Sequence, residues 1–330
     1  MQENQQTDDF MTLRIAVQMD ALSSIEPAFD STFQFILEAQ KRGYSVHIFQ
    51  PSGLSYLDGE VLARAKPVTV RMTEGDYYSE GEETVLDLRM DADLVLMRQD
   101  PPFNMEYITA AHILEHLERD TLVLNNPREV RNAPEKLLVT HFRAFAPPTL
   151  ISADPHAIRA FYDEHEDIIL KPLYDYGGSL VFHIDRASDN FSSLLDMFGR
   201  FYKEAIIAQK YIPEVKVTGD KRILLTEGKA IAAFSRIPQE RDVRAGLYLG
   251  GRAEKCEMDE RDQKICEAIG PELVRRGLVF AGIDVIGGYL TEINVTCPSG
   301  IRDVQLLYGL NPEAQIWDAF EQRLKDFKKR

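Results

Sequence analysis

Short apolar runs alternating with segments of helical period organise the first third of the chain. Leu13 to Val17 is an apolar run of strand length that ends at Met19-Asp20. From about Ser31, the residues Phe33, Ile36, Leu37 and Gln40 step at helical spacing, with Asp30 or Ser31 as N-cap and Gly43 as the stop. Tyr44 to Phe49 is the next strand, and a strand–helix–strand opening predicts a parallel sheet. Residues 55–90 read as charge-rich strands and loops. Asp93 to Arg98 is a further strand, stopped by two prolines in QDPPFN. An amphipathic helix over Tyr107 to Leu117, a strand over Thr121 to Leu124 and a short helix capped by Asn126-Pro127 complete this part.

Pro147-Pro148 marks a break. Beyond it the pattern predicts a helix over Asp154 to Glu164, a strand over Ile168 to Pro172 and a glycine-bearing turn over Tyr174 to Ser179. A strand over Leu180 to Ile184, a helix over Phe191 to Tyr202 and a strand over Ile206 to Ile212 follow. Two apolar strands lie in 223–236, then a loop over 237–252 and a helix over Asp259 to Arg276. A hairpin over Phe280 to Pro298 and one C-terminal helix end the chain.

The hairpin carries the clearest chemistry. Three oxygen-bearing side chains, Asp284, Glu292 and Asn294, interrupt its apolar pattern, and Glu292 and Asn294 share a face because side chains alternate along a strand. A two-residue turn at Gly287-Gly288 leaves Glu292 on the face opposite Asp284. A three-residue turn, Gly287 to Tyr289, pairs the two acids and turns Ile283, Val285, Ile293 and Val295 into the core. Two carboxylates and an amide on one face suit a hard cation such as Mg²⁺, which brings phosphates with it. That reading therefore demands an odd number of turn residues; the alternative is a solvated polar face. Lys171, in the middle of the apolar run IILKP, needs an anionic partner, and a triphosphate is one.

Composition narrows the partners. At 330 residues the chain exceeds the roughly 250–300 residues at which single cores stop growing, so two or three domains are expected. A net charge of −15 disfavours nucleic acid and anionic membranes, while a local cluster of Lys and Arg still permits a small anion. Cys256, Cys266 and Cys297 show no paired spacing, which suits a reducing cytoplasm. The first ten residues carry no signal-peptide pattern and read as a disordered tail. A dinucleotide fold would place G-x-G-x-x-G after the first strand, but that turn contains no glycine.

An ordered set of segments then points further: MD at 19–20, DSTFQFILEAQKRGY at 30–44, LMRQDPPFN at 96–104, EKL at 135–137 and IILKPL at 168–173. AQKYIP at 208–213, GDKR at 219–222, RIPQ at 236–239, GGR at 250–252 and GIDVIGGYLTEINVT complete it. In this order and spacing the chain resembles the bacterial glutathione synthetases of the ATP-grasp superfamily. The resemblance implies a mixed α/β and α+β architecture, the ATP-grasp fold. Its parts would be a tail over 1–10, a parallel-sheet α/β domain over 11–133, an α+β lid over 134–205 and an α+β subdomain over 206–330. It implies a cytoplasmic ligase joining γ-glutamylcysteine and glycine, with ATP and two Mg²⁺ ions (Mn²⁺ as the alternative), in a homodimer or homotetramer.

Carried over position by position, Asp284, Glu292 and Asn294 would hold the metal, and Lys136 and Lys171 would approach the phosphates. Gly177 and Gly178 would cover the phosphates, Gln209 and the backbone of Lys210, Tyr211 and Ile212 would face adenine, and Asp220 would lie by the ribose. Arg222 would reach the transferred phosphoryl group, and Arg244 would clamp a carboxylate. Replacing Asp284 is then expected to abolish turnover and leave the fold intact.

Several positions depart from the family pattern. The lid loop usually reads Asp-Gly-Met-Gly-Gly, and here it is Tyr174-Asp175-Tyr176-Gly177-Gly178. Phe29 replaces a lysine, Ala245-Gly246 follows Arg244 where the family carries Gly-Asn, and Cys297 replaces a serine. These changes raise the alternative of an ATP-grasp ligase for another amino acid or dipeptide. A non-catalytic nucleotide-binding protein would have lost a metal ligand or phosphate lysine, and none is lost. Cys297 reads as a small buried residue, and His112 and His116, four apart on one helix, as a surface pair.

Overall fold

A computed structural model describes residues 12–240 and 242–329. The expected N-terminal tail over 1–10 lies outside the described residues. Three sheets form the framework. In the first, Arg14–Gln18, Ser45–Phe49, Leu94–Met97 and Leu122–Leu124 pair in parallel, as the strand–helix–strand opening predicts. Ile15 to Gln18 are all buried, the signature of a strand covered on both faces. The stretch over 55–90 folds back as antiparallel strands around Glu60–Val70, which joins this sheet beside Ser45–Phe49.

Helix Ser31–Lys41 starts at Asp30, whose Oδ1 accepts the amide of Phe33 at 2.6 Å. Its buried face, with Phe33, Phe35 and Ile36, packs in one core with Trp317 and Phe320 of the last helix, Pro312–Phe327. The indole N–H of Trp317 donates to the Phe35 carbonyl at 3.0 Å. The C-terminal end is not one helix but two, because Gly309 in the left-handed region closes Ile301–Tyr308 before Pro312 opens the next.

The second sheet runs in the order Phe182–Ile184, Ile168–Pro172, Ile206–Lys210, Thr149–Ser152, all antiparallel. With helices Pro155–His165 and Phe191–Phe201 it encloses a core of its own. Ile206–Lys210 pairs inside this sheet, so the sequence-based cut at 205/206 severs it. Helix Glu135–Leu138, grouped by sequence with the lid, instead contributes Leu138 to the core beneath the hairpin. Neither error was avoidable from periodicity, since an apolar run does not say which sheet it joins.

The third sheet is antiparallel in the order Arg252–Lys255, Lys229–Ile237, Asp220–Thr226, Phe280–Ile286, Tyr289–Asn294. Helix Glu260–Arg276 packs on it, opened by a capping box in which Asp259 and Asp262 satisfy each other's backbone amides. Ile283, Val285, Ile293 and Val295 fill the core shared with the first sheet. Among the described residues no helix is long and apolar enough to cross a membrane.

Candidate active site

The hairpin settles the register question in an unexpected way. Ile286 pairs with Tyr289, so the turn has two residues, Gly287 and Gly288, both at positive φ (55° and 77°). The three-residue turn demanded by the sequence reading is therefore wrong. The ligands meet all the same. Val285 pairs with Leu290 and Asp284 with Glu292, leaving Thr291 as an extra residue in a β-bulge. That bulge shifts the alternation by one and returns Glu292 to the face of Asp284. The Thr291 hydroxyl donates to the Asp284 carbonyl at 3.1 Å and ties the bulge down.

Neighbouring strands complete the charge cluster. Arg222 lies directly across from Asp284 and grips it bidentately, Nε to Oδ1 at 2.6 Å and Nη2 to Oδ2 at 3.1 Å. Arg236, the strand partner of Asp220, ion-pairs with Asp220 and lies 2.9 Å from Asp284 Oδ1. The Asn294 amide donates to Asp284 Oδ2 at 3.2 Å. Lys171 reaches Glu292 Oε1 at 3.2 Å from the second sheet, and Lys136 stands 3.8 Å from the same atom. Both lysines are buried, as is Asp284.

Burial alone would raise the Asp284 carboxyl, but Arg222 and Arg236 outweigh it and hold the group well below the usual carboxylate range. Glu292 is likewise lowered, its burial overcome by Lys136 and Lys171. Asp220 goes the other way. Burial pushes it up to about 7, with Arg236 opposing and Asp284 adding to the rise. Hard oxygen donors held ionised at neutral pH match what a divalent cation requires.

These groups line a cavity of about 810 Å³ between the three sheets, and so do all fourteen residues singled out from sequence. Gly177 and Gly178 both adopt positive φ in its wall, as a loop that presents backbone to a ligand requires. Gln209 is buried and donates to Thr149 Oγ1 at 2.9 Å. The amides of Lys210 and Tyr211 are engaged by the carbonyls of Pro148 and Asp167, so part of the backbone assigned to adenine is already bonded within the fold. The Tyr211 ring lies against His183, tilted by 33° with centroids 4.1 Å apart, and Ile212 is buried next to it in sequence. Arg244 is half-exposed and folded onto Asp242 of its own loop, at 2.7 Å. Asp220 turns toward Arg236, and its Oδ1 is buried without a hydrogen-bond partner.

Sequence reasoning missed other wall residues. Arg236 was recoverable by the argument used for Lys171, a cation in an apolar strand. Glu135 is another; burial raises its carboxyl, and it accepts from Thr296 Oγ1 at 3.1 Å. A separate part of the wall is acidic: Asp20, Asp30 and Asp100, where the first sheet's strands Arg14–Gln18 and Leu94–Met97 run out. Carboxyl ends of parallel strands are where open sheets bind ligands. Burial raises Asp30 to about 6 and raises Asp100 as well. The Cys297 thiol is pushed well above its ordinary value by burial and donates to the Arg98 carbonyl at 3.3 Å, in keeping with an unreactive residue.

Two family profiles match the chain: "Prokaryotic glutathione synthetase, N-terminal domain" over residues 13–131 and "Prokaryotic glutathione synthetase, ATP-grasp domain" over residues 135–309. The chain belongs to the prokaryotic glutathione synthetase family. Glutathione synthetase of Mesorhizobium japonicum is 49% identical over 315 residues, 96% of this chain and 100% of that protein. Glutathione synthetase of Escherichia coli O127:H6 is 37% identical, covering 95% and 99% of the two chains. Among solved structures, the D-cycloserine synthetase DcsG superposes with a TM-score of 0.67 at 15% identity, over 94% of this chain and 99% of that one. The ATP-grasp ligase PsnB, in complex with a minimal precursor, Mg and ADP, gives a TM-score of 0.58 at 16% identity, over 96% and 98%. The fold is thus the ATP-grasp fold, and the protein is an ATP-dependent ligase that acts on small molecules. Enzymes of this class use ATP with a divalent metal.

Proposed function

We propose that this ligase joins γ-glutamylcysteine to glycine. The substrate pair is carried by the likeness, over nearly the whole chain, to proteins named glutathione synthetase. The convergence of Asp284, Glu292 and Asn294 with Lys136, Lys171 and Arg222 on one wall of a single cavity supports the ATP-dependent step. ATP phosphorylates the cysteinyl carboxylate, giving an acyl phosphate and ADP. The glycine amine then attacks the acyl carbon, and phosphate leaves as the peptide bond forms. Asp284, Glu292 and Asn294 would hold two Mg²⁺ ions, whose chemistry when bound is neutralisation of phosphate charge. Phosphoryl transfer otherwise asks for positioning and charge, which Lys136, Lys171 and Arg222 supply. Gln209, Lys210, Tyr211 and Ile212 frame adenine, Asp220 lies toward the ribose, and the amides of Gly177 and Gly178 cover the phosphates. Arg244, on the loop over 237–252, swings from Asp242 to a substrate carboxylate. The separate core of the second sheet lets it close as a lid, excluding water that would hydrolyse the acyl phosphate. In solution the chain assembles as a homodimer or homotetramer.

Two departures from the family pattern lose their weight against this substrate pair. Phe29 and Tyr174 do not line the cavity, and Tyr174 instead stacks on Phe103, centroids 6.1 Å apart. With ATP and Mg²⁺, ADP release should require both γ-glutamylcysteine and glycine. Release with a different acid–amine pair, and none with this one, would overturn the assignment.

The acidic wall suits the ammonium group of an amino-acid substrate. Because Asp30 titrates at about 6 in the folded protein, it is ionised only above that value. The KM for the peptide substrate should therefore fall as pH rises through 6, and Asp30→Asn should flatten that limb. An unchanged pH profile in the variant would remove Asp30 from substrate recognition.

A further inference from the structure

Four donors already occupy Asp284. Oδ1 accepts from Arg222 Nε at 2.6 Å and faces Arg236 Nη2 at 2.9 Å. Oδ2 accepts from Arg222 Nη2 at 3.1 Å and from the Asn294 amide at 3.2 Å. A carboxylate offers about four lone-pair sites, so a cation reaching Asp284 must displace donors. Displacement leaves buried guanidinium groups short of a partner, which is costly. Arg236 would keep Asp220, but Arg222 would keep only the Ser299 carbonyl, at 3.1 Å from Nη1. The second metal carboxylate is held in the same way, with Lys171 and Lys136 at 3.2 and 3.8 Å from Glu292 Oε1.

We propose that Arg222 and Arg236 make cation binding conditional on an oxyanion: Asp284 becomes available only when a phosphate-bearing ligand takes over the guanidinium groups. This inference rests on the metal reading above and adds an order to it. The cation and the anion enter as a linked pair, and each strengthens the other by the same factor. The arginines thus keep adventitious divalent ions out of the site until a nucleotide or an acyl phosphate is present.

The test is a Mn²⁺ titration of the whole protein without nucleotide, with electron paramagnetic resonance reading the unbound ion. Binding should be weak and should tighten roughly 5- to 150-fold, the usual range of such coupling, when inorganic sulfate supplies a tetrahedral dianion. The double variant Asp220→Asn, Arg236→Met removes the Arg236 guanidinium together with the carboxylate it pairs with, and so takes one guard from Asp284. It should bind Mn²⁺ more tightly than the unsubstituted protein and gain less from sulfate. Equal Mn²⁺ affinity with and without sulfate in the unsubstituted protein would overturn the proposal, and that arm stands even if the double variant fails to fold. A double variant that folds and binds no more tightly would overturn it too. Absence of Mn²⁺ binding even with ADP would fail the metal reading itself, and the coupling with it.

Discussion

Replacing Asp284 by Asn is expected to lower ADP release by about three orders of magnitude and to lower stability as well. The activity loss follows from removing one of two carboxylates proposed for the metal, in a site where charge stabilisation is worth roughly 10²–10³ per group. The stability loss was not expected from sequence, which treats Asp284 as a metal ligand whose replacement leaves the fold intact. In the fold it is 3% exposed and is the common partner of Arg222 and Arg236. Removing one side of a buried ion pair costs about 3–5 kcal/mol, because the remaining charge is left uncompensated. Urea unfolding beside a coupled ADP assay separates the two effects. Glu292→Gln supplies the contrast: its carboxylate is 23% exposed, so activity should collapse with a smaller change in the urea midpoint. Normal turnover in Asp284→Asn would sink the metal reading, and an unchanged midpoint would refute its structural role.

Lys171→Met should reduce kcat/KM for ATP by about 10²-fold while leaving the fold in place. Methionine preserves the apolar stem that lies within Ile168–Pro172 and removes only the ammonium group. Glu292 retains Lys136 at 3.8 Å, so no buried carboxylate is abandoned. The lysine also links two bodies with separate cores, since it belongs to the second sheet and its partner to the third. Loss of that link should raise the KM for ATP as well as lower kcat, because the phosphates then have one fewer cation and the lid one fewer anchor. Initial rates at varied ATP, with nucleotide affinity measured independently, check both parts. A variant with wild-type KM would show that Lys171 does not face the phosphates.

Much of this molecule was legible in one dimension. The parallel opening of the first sheet followed from strand–helix–strand periodicity, because buried parallel strands are continuous apolar runs that need no long-range information to recognise. Asp284, Glu292 and Asn294 stood out for a similar local reason: an acid set among β-branched strand residues is costly to bury unless a cation meets it. Lys171 did too, as a cation within an apolar run. The ordered motifs then located Lys136, Gln209, Asp220 and Arg222, which line the same cavity.

The rest depended on pairing across the chain. Two glycines allow a two- or a three-residue turn, and the bulge at Thr291 that brings Glu292 back to the ligand face has no residue signature; it shows only in the pairing of Asp284 with Arg222 on one side and Glu292 on the other. Likewise Ile206–Lys210 looks the same whether it joins the second sheet or the third, and only hydrogen bonding to Thr149–Ser152 and Ile168–Pro172 decides. The sequence by itself determined the candidate side chains that line the cavity and most of the runs that form strands, since residue type and period are local properties. Tertiary structure alone decided that Arg222 and Arg236 close on Asp284, because ion pairs between strands depend on register, and register is set by the packing of whole sheets.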